Sequence, residues 1–108
     1  MALENINVAK MSRQNLGRED TVSVEQQLNK LEDDIRKLKI DFGIYFLGNL
    51  KRPPHEARGR VEASFKRLMD DRSLKFAERF RLNGIISRYT SLRELWRRTF
   101  KQRGEDFS

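Results

Sequence analysis

The chain has 108 residues, no cysteine, one histidine and 37% apolar residues. That leaves room for one domain, excludes a disulfide framework and a cysteine-based zinc site, and gives no reason to expect a metal or cofactor. Its 23 Lys and Arg against 16 Asp and Glu give a net charge of +7. The longest strongly apolar run, Ile44-Tyr45-Phe46-Leu47, is far too short for a bilayer span. The opening Met-Ala-Leu-Glu-Asn lacks the basic and apolar stretches of a secretory signal. The expectation is a cytoplasmic protein with no membrane anchor.

Residues 1–22 are polar and aperiodic, with Asn5, Asn7, Ser12, Asn15 and Gly17 among scattered apolar positions. Such a segment buries too little apolar surface to offset the entropy of ordering it, and a flexible arm is expected. Ser23 followed by Gln26 then has the spacing of a capping box. From there Val24, Leu28, Leu31, Ile35, Leu38, Phe42 and Tyr45 alternate spacings of four and three, the a/d pattern of a coiled-coil seam. The first helix is expected over 24–47, with Gly48 closing it in the left-handed conformation.

Asn49 to Pro54 forms a stiff connection, and Pro54 suits a first helical turn. The second helix is expected over 54–70, with Ala57, Val61, Phe65 and Leu68 on one face. Asp70-Asp71-Arg72-Ser73 reads as a stop followed by a new cap. A third helix over 74–102 would place Leu74, Ala77, Ile85, Tyr89, Leu92, Leu95, Trp96, Thr99 and Phe100 on its apolar side. Residues 104–108 form a tail. No segment alternates with period two, so the fold class is all-α: an antiparallel helical hairpin or three-helix bundle with coiled-coil-like packing. The seam of the first helix could instead pair with its copy, making a homodimer the competing architecture.

Most of the aromatic side chains, Phe42, Tyr45, Phe65, Phe80, Tyr89, Trp96 and Phe100 among them, are expected in the core. Phe46 and Phe76 lie off their apolar faces. Arg81 and Arg88, seven residues apart, fall within the apolar side of the third helix, and Asp34 and Asp41 flank the seam of the first. Two interhelical Arg–Asp pairs setting the register would reconcile these charges with burial.

Residues 51–103 hold 16 Lys and Arg against six Asp and Glu, whereas residues 1–50 hold seven against eight. Lys75, Arg79, Arg93, Arg97 and Lys101 align along one edge of the third helix, with Arg72 extending the row. Such an edge suits an acidic protein surface or a run of phosphates. No helix-turn-helix, RNA-recognition, KH or zinc-finger pattern accompanies it. An acidic protein partner is therefore the first expectation, and sequence-nonspecific nucleic acid the second. Phe46, Leu50 and Arg52 at the Tyr45–Pro54 corner would supply further anchors, since aromatics and Arg are enriched at binding hot spots.

Catalysis finds little support. His55 stands alone after two prolines, no Gly-x-Ser-x-Gly elbow exists, and the Gly43–Gly48 spacing lacks the lysine of a phosphate loop. The adjacent carboxylates of Asp33-Asp34 and Asp70-Asp71 diverge on a helix. A non-catalytic interaction module is expected.

Tyr45-Phe46-Leu47-Gly48, then Lys51-Arg52-Pro53-Pro54, and later Ala77, Phe80-Arg81, Arg88-Tyr89, Trp96 and Arg98 resemble a small helical domain family of myxobacteria and related bacteria. The resemblance covers roughly residues 28–102. It implies a helical fold in a bacterial cytoplasm and assigns no activity. Gly43 and the Gly104-Glu105-Asp106-Phe107 tail depart from the family pattern.

Overall fold

A computed structural model describes residues 22–107; the arm expected over 1–22 lies almost wholly outside the described residues. Three helices pack against one another: α1 (Val24–Phe46), α2 (His55–Met69) and α3 (Phe76–Gln102). The described residues contain no strand, and the all-α three-helix bundle stands. None of these helices is long and apolar enough to cross a membrane.

Each boundary has a local cause. The Ser23 side chain accepts from the Gln26 N–H while Gln26 accepts from the Ser23 N–H, both at 3.1 Å, which satisfies two end donors of α1. At the far end Gly48 adopts φ 87°, its N–H bonding to the Tyr45 carbonyl and that of Asn49 to the Ile44 carbonyl. This is a Schellman motif, which only a residue tolerant of positive φ closes without strain. Gly104, at φ 72°, closes α3 in the same way, with Gly104 N–H on Lys101 and Glu105 N–H on Phe100.

The start of α3 departs from expectation. Ser73 does not cap the helix: its N–H and hydroxyl both donate to the Asp71 carboxylate, at 2.8 and 2.6 Å. That local Asx turn satisfies Ser73 in place of a helix cap. The helix begins two residues later, where Glu78 accepts from the Lys75 N–H at 2.8 Å.

Side-chain contacts give the topology. Arg81 reaches Asn29 and Glu32 while Arg103 reaches the Phe46 carbonyl, so α1 and α3 run parallel. Arg93 pairs with Glu62 and Tyr89 packs on Phe65, so α2 runs antiparallel to both. The order is up, down, up. Leu28, Leu31, Leu38 and Phe42 bury the α1 seam, Val61, Phe65 and Leu68 the inner face of α2, and Leu82, Ile85, Tyr89, Trp96 and Phe100 that of α3.

That last face is rotated about 50° from the one the sequence suggested, at 100° per residue. Leu82 is fully buried, whereas Leu95 is half exposed and Ala77 exposed. Phe80, expected in the core, is 72% exposed. The tail also folds back: Phe107 is buried against Phe100, His55 and Phe42, with centroid distances of 5.3, 5.7 and 6.4 Å.

Candidate interaction surface

The cations of α3 divide into two groups. Lys75 and Arg79 lie at its start and Arg93, Arg97 and Lys101 near its end, separated by 14 residues between Arg79 and Arg93, about 21 Å along the axis. Leu82, Asn83, Ile86 and Thr90 occupy the same side between them. The single uncompensated row expected from the sequence is therefore interrupted.

Compensation also differs along it. Arg93 Nε lies 3.1 Å from Glu62, and Arg97 forms a bidentate pair with Glu94. That pair holds the Glu94 carboxyl below its usual range, chiefly through the Arg97 hydrogen bond. Arg79 forms no ion pair within 4 Å among the described residues; it donates to the Asp71 carbonyl at 2.8 Å, and its charge also acts on the Asp71 carboxylate. Among the described residues Lys75, Arg98 and Lys101 form no ion pair, although the Arg98 charge adds to that of Arg97 in holding the Glu94 carboxyl down. The helix as a whole carries seven cations and two acids.

Near the end of α3, Arg58, Arg93, Arg97 and Lys101 wall an open cleft of about 590 Å³ closed on one side by Gly104 to Phe107. Arg58 is held there by Glu62 at 3.3 Å, by the Phe107 carbonyl at 3.2 Å, and by His55 Nδ1 at 3.4 Å. Its guanidinium lies 4.2 Å from the Phe107 ring centroid, a cation–π contact. Burial, then the neighbouring Arg58 charge, holds the His55 pKa down, against the opposing charge of Asp106. His55 is thus a packed, predominantly neutral ring.

The register ion pairs are corrected. Arg81 and Arg88 do bridge α3 to α1, but both close on Glu32, at 2.8 and 3.2 Å. Asp34 and Asp41 pair within α1, with Lys30 at 2.8 Å and Lys37 at 3.1 Å. The reason is helical phase. Glu32 lies on the flank of the seam that meets α3, whereas Asp34 and Asp41 lie on the other flank, beside Ala57, Arg60 and Val61 of α2.

The corner also differs from expectation. Phe46 is half-buried against Phe42 and Phe100, with Arg103 over its ring, and is no free anchor. Leu50 and Arg52 are exposed, and the neighbouring Leu47 is the most exposed apolar side chain there.

Two features escaped sequence reasoning. Glu62 gathers Arg58, Tyr89 and Arg93, a convergence for which only the Arg58–Glu62 spacing of four gave a signal. The second is the exposure of Phe80 beside Phe76, since the sequence places only Phe76 of the two off the apolar face. Phe76 is 87% exposed, and its ring stacks on that of Phe80 at 6.5 Å and 22°. Among the described residues no three His, Asp or Glu side chains converge as a metal site requires. No family model, curated protein or solved structure matches the chain, and the geometry alone carries the functional reading.

Proposed function

We propose that this protein is a non-catalytic interaction module of the cytoplasm that docks an acidic segment of a partner protein on α3. The carrying observation is the charge of that helix, seven cations against two acids, with Arg98 and Lys101, and Lys75 just before it, exposed and outside the ion pairs of the described residues. Exposed cations raise association rates with an acidic surface through long-range attraction. The packing of His55 among Phe42, Phe100 and Phe107 favours a structural role for the one imidazole.

The test is fluorescence anisotropy of a labelled polyglutamate peptide at low salt. Wild type should bind, and a Lys75→Gln/Arg98→Gln/Lys101→Gln variant should bind roughly tenfold or more weakly, the scale of lost charge pairs at an interface. Its melting temperature should change little. The two like-charge spacings it relieves, Lys75–Arg79 and Arg97–Lys101, and the favourable Arg98–Glu94 and Lys101 helix-end attractions it removes are each weak and oppose one another. Nucleic acid is the competing outcome. Tight duplex DNA binding with a log–log salt slope near about −4.5, the value for some five neutralised phosphates, together with no polyglutamate binding, overturns the reading.

A further inference from the structure

Phe76 and Phe80 have no place in the core, and their exposure has a structural origin. The pairings of Glu62 with Arg93 and Phe65 with Tyr89 put the end of α2 level with about residue 85 of α3. The first turns of α3 therefore extend beyond α2, tied to α1 by Arg81 and to the preceding connection by Arg79. At 100° per residue, Phe76, Phe80, Gly84, Ser87, Ser91 and Leu95 fall within about 100° of the helix surface, on the side away from the core. Phe76, Phe80 and Leu95 are among the large exposed apolar side chains. Gly84 lies between them, and a Cβ there would meet only Arg88 Nη1, at 3.7 Å. Nothing inside the bundle requires the missing side chain.

Resting on the proposed docking of an acidic partner, we infer that the partner segment is an acidic amphipathic helix that lies along this face of α3. Its apolar residues would seat on the Phe76–Phe80 pair at one end and on Leu95 at the other. Those ends are 19 residues apart, about 28 Å, or some five turns of a partner helix. Arg98 lies within the same arc, with exposed Lys101 at its edge and exposed Lys75 just before the helix to meet its carboxylates, while Glu94, the one acid in the arc, is already held by Arg97. Charge complementarity selects this occupant. The same face of a second copy would set cation against cation, and single-stranded nucleic acid would find no ring to stack on between Phe80 and Leu95. Exposed aromatics in a charged rim are the usual anchors of such contacts.

The experiment uses the full chain and four labelled probes of equal length. They are an acidic peptide of about three heptads with Leu at a and d, a scrambled peptide of the same composition, polyglutamate and polyuridine. Wild type should bind the amphipathic peptide roughly tenfold more tightly than the scrambled one. Phe76→Ser/Phe80→Ser should erase that difference while leaving polyglutamate binding and the melting temperature intact. If the two acidic peptides bind alike and the variant changes neither, the amphipathic helix is wrong while the acidic-partner reading survives. If polyglutamate and both peptides fail on wild type, the parent reading falls. Two results would assign the face to a different occupant: polyuridine bound more tightly than the amphipathic peptide and lost in the variant, or a dimer that the variant dissolves.

Discussion

Three side chains converge on the Glu62 carboxylate: Arg58 and the Tyr89 hydroxyl donate to it at 3.3 and 2.6 Å, and Arg93 forms an ion pair with it at 3.1 Å. The Tyr89 pKa is pushed up, first by burial and then by the hydrogen bond to Glu62. Arg58 is only 12% exposed, and its Nε has no hydrogen-bond partner. Removing Glu62 would leave the Tyr89 hydroxyl without its acceptor and the nearly buried Arg58 with only the Phe107 carbonyl and His55, no anion, which costs about 1–3 kcal/mol. Glu32 serves two more exposed arginines, so Glu32→Ala should cost less than about 1 kcal/mol. Asp34→Asn/Asp41→Asn, touching only pairs within α1, should change stability by about 0.5 kcal/mol per pair or less. Urea unfolding of the three variants checks the order, and an equal effect of Glu32→Ala and Glu62→Ala would contradict it. His55 makes a second prediction at this scale. Its Nδ1 faces Arg58 Nη2 at 3.4 Å, and accepting from it requires the proton on Nε2. Protonation sets two cations face to face. The folded pKa lies below the unfolded 6.5, so between those values the unfolded chain binds more protons. Stability is then full above about pH 6.5 and falls as pH drops through and below it. His55→Gln should flatten that slope between neutral pH and mild acid, measured by thermal melts. The shifted carboxyls of Asp71, Glu94 and Glu105 act only lower, below their ordinary 3.8 to 4.5.

Among the helices, the glycines separate geometry from packing. Gly48 needs its positive φ, and Gly48→Ala should cost about 1–2 kcal/mol. Gly84 sits within α3 with room for a methyl group, so Gly84→Ala should stabilise by up to about 1 kcal/mol. Denaturant midpoints of opposite sign are the check. The contrast between α1 and α3 also explains what could be read without coordinates. The α1 seam is unambiguous because only polar residues separate its apolar positions from Val24 to Leu38, and Leu28, Leu31, Leu38 and Phe42 are all buried. In α3 the apolar residues run around more than one face, from Leu82 and Ile85 to Leu92, Leu95 and the two exposed phenylalanines. Periodicity then fixes the existence of a helix but leaves its phase open. That phase decides whether Arg81 and Arg88 lie in the core or at its margin, and which acids they meet. The Ser73 cap failed because Asp71, two residues earlier, takes both the Ser73 N–H and its hydroxyl and so turns that side chain away from the helix end. Phe107 was hidden for another reason: a single apolar residue in a polar tail carries no period, and only the turn at Gly104 returns it to the bundle.

For the molecule as a whole, the charge belongs to the bundle. Residues 1–21 contain three cations and three acids, so residues 22–107 carry the entire +7. On and beside α3, Lys75 and Arg79, Arg93 and Arg97, and Arg97 and Lys101 are like charges four apart. Each such pair opposes the helix by about 0.2–0.5 kcal/mol at low salt. On α1, Lys30–Asp34, Arg36–Asp33 and Lys37–Asp41 work in the opposite sense and by similar amounts. Screening weakens both sets, since the Debye length falls from about 10 Å at 0.1 M to about 3 Å at 1 M. The free protein should therefore melt at nearly the same temperature across that range. An acidic ligand changes the balance: polyglutamate binding only the folded state stabilises it by about 2.7 kcal/mol at a hundred times its Kd. Because that binding is built from exposed charges, the gain should shrink as salt rises, and the melting curves with and without polyglutamate should converge by about 1 M. A gain that persists undiminished at high salt would place the polymer on apolar contacts instead of the cations of α3. Absence of any gain at low salt would mean that seven cations on one helix do not make a binding surface.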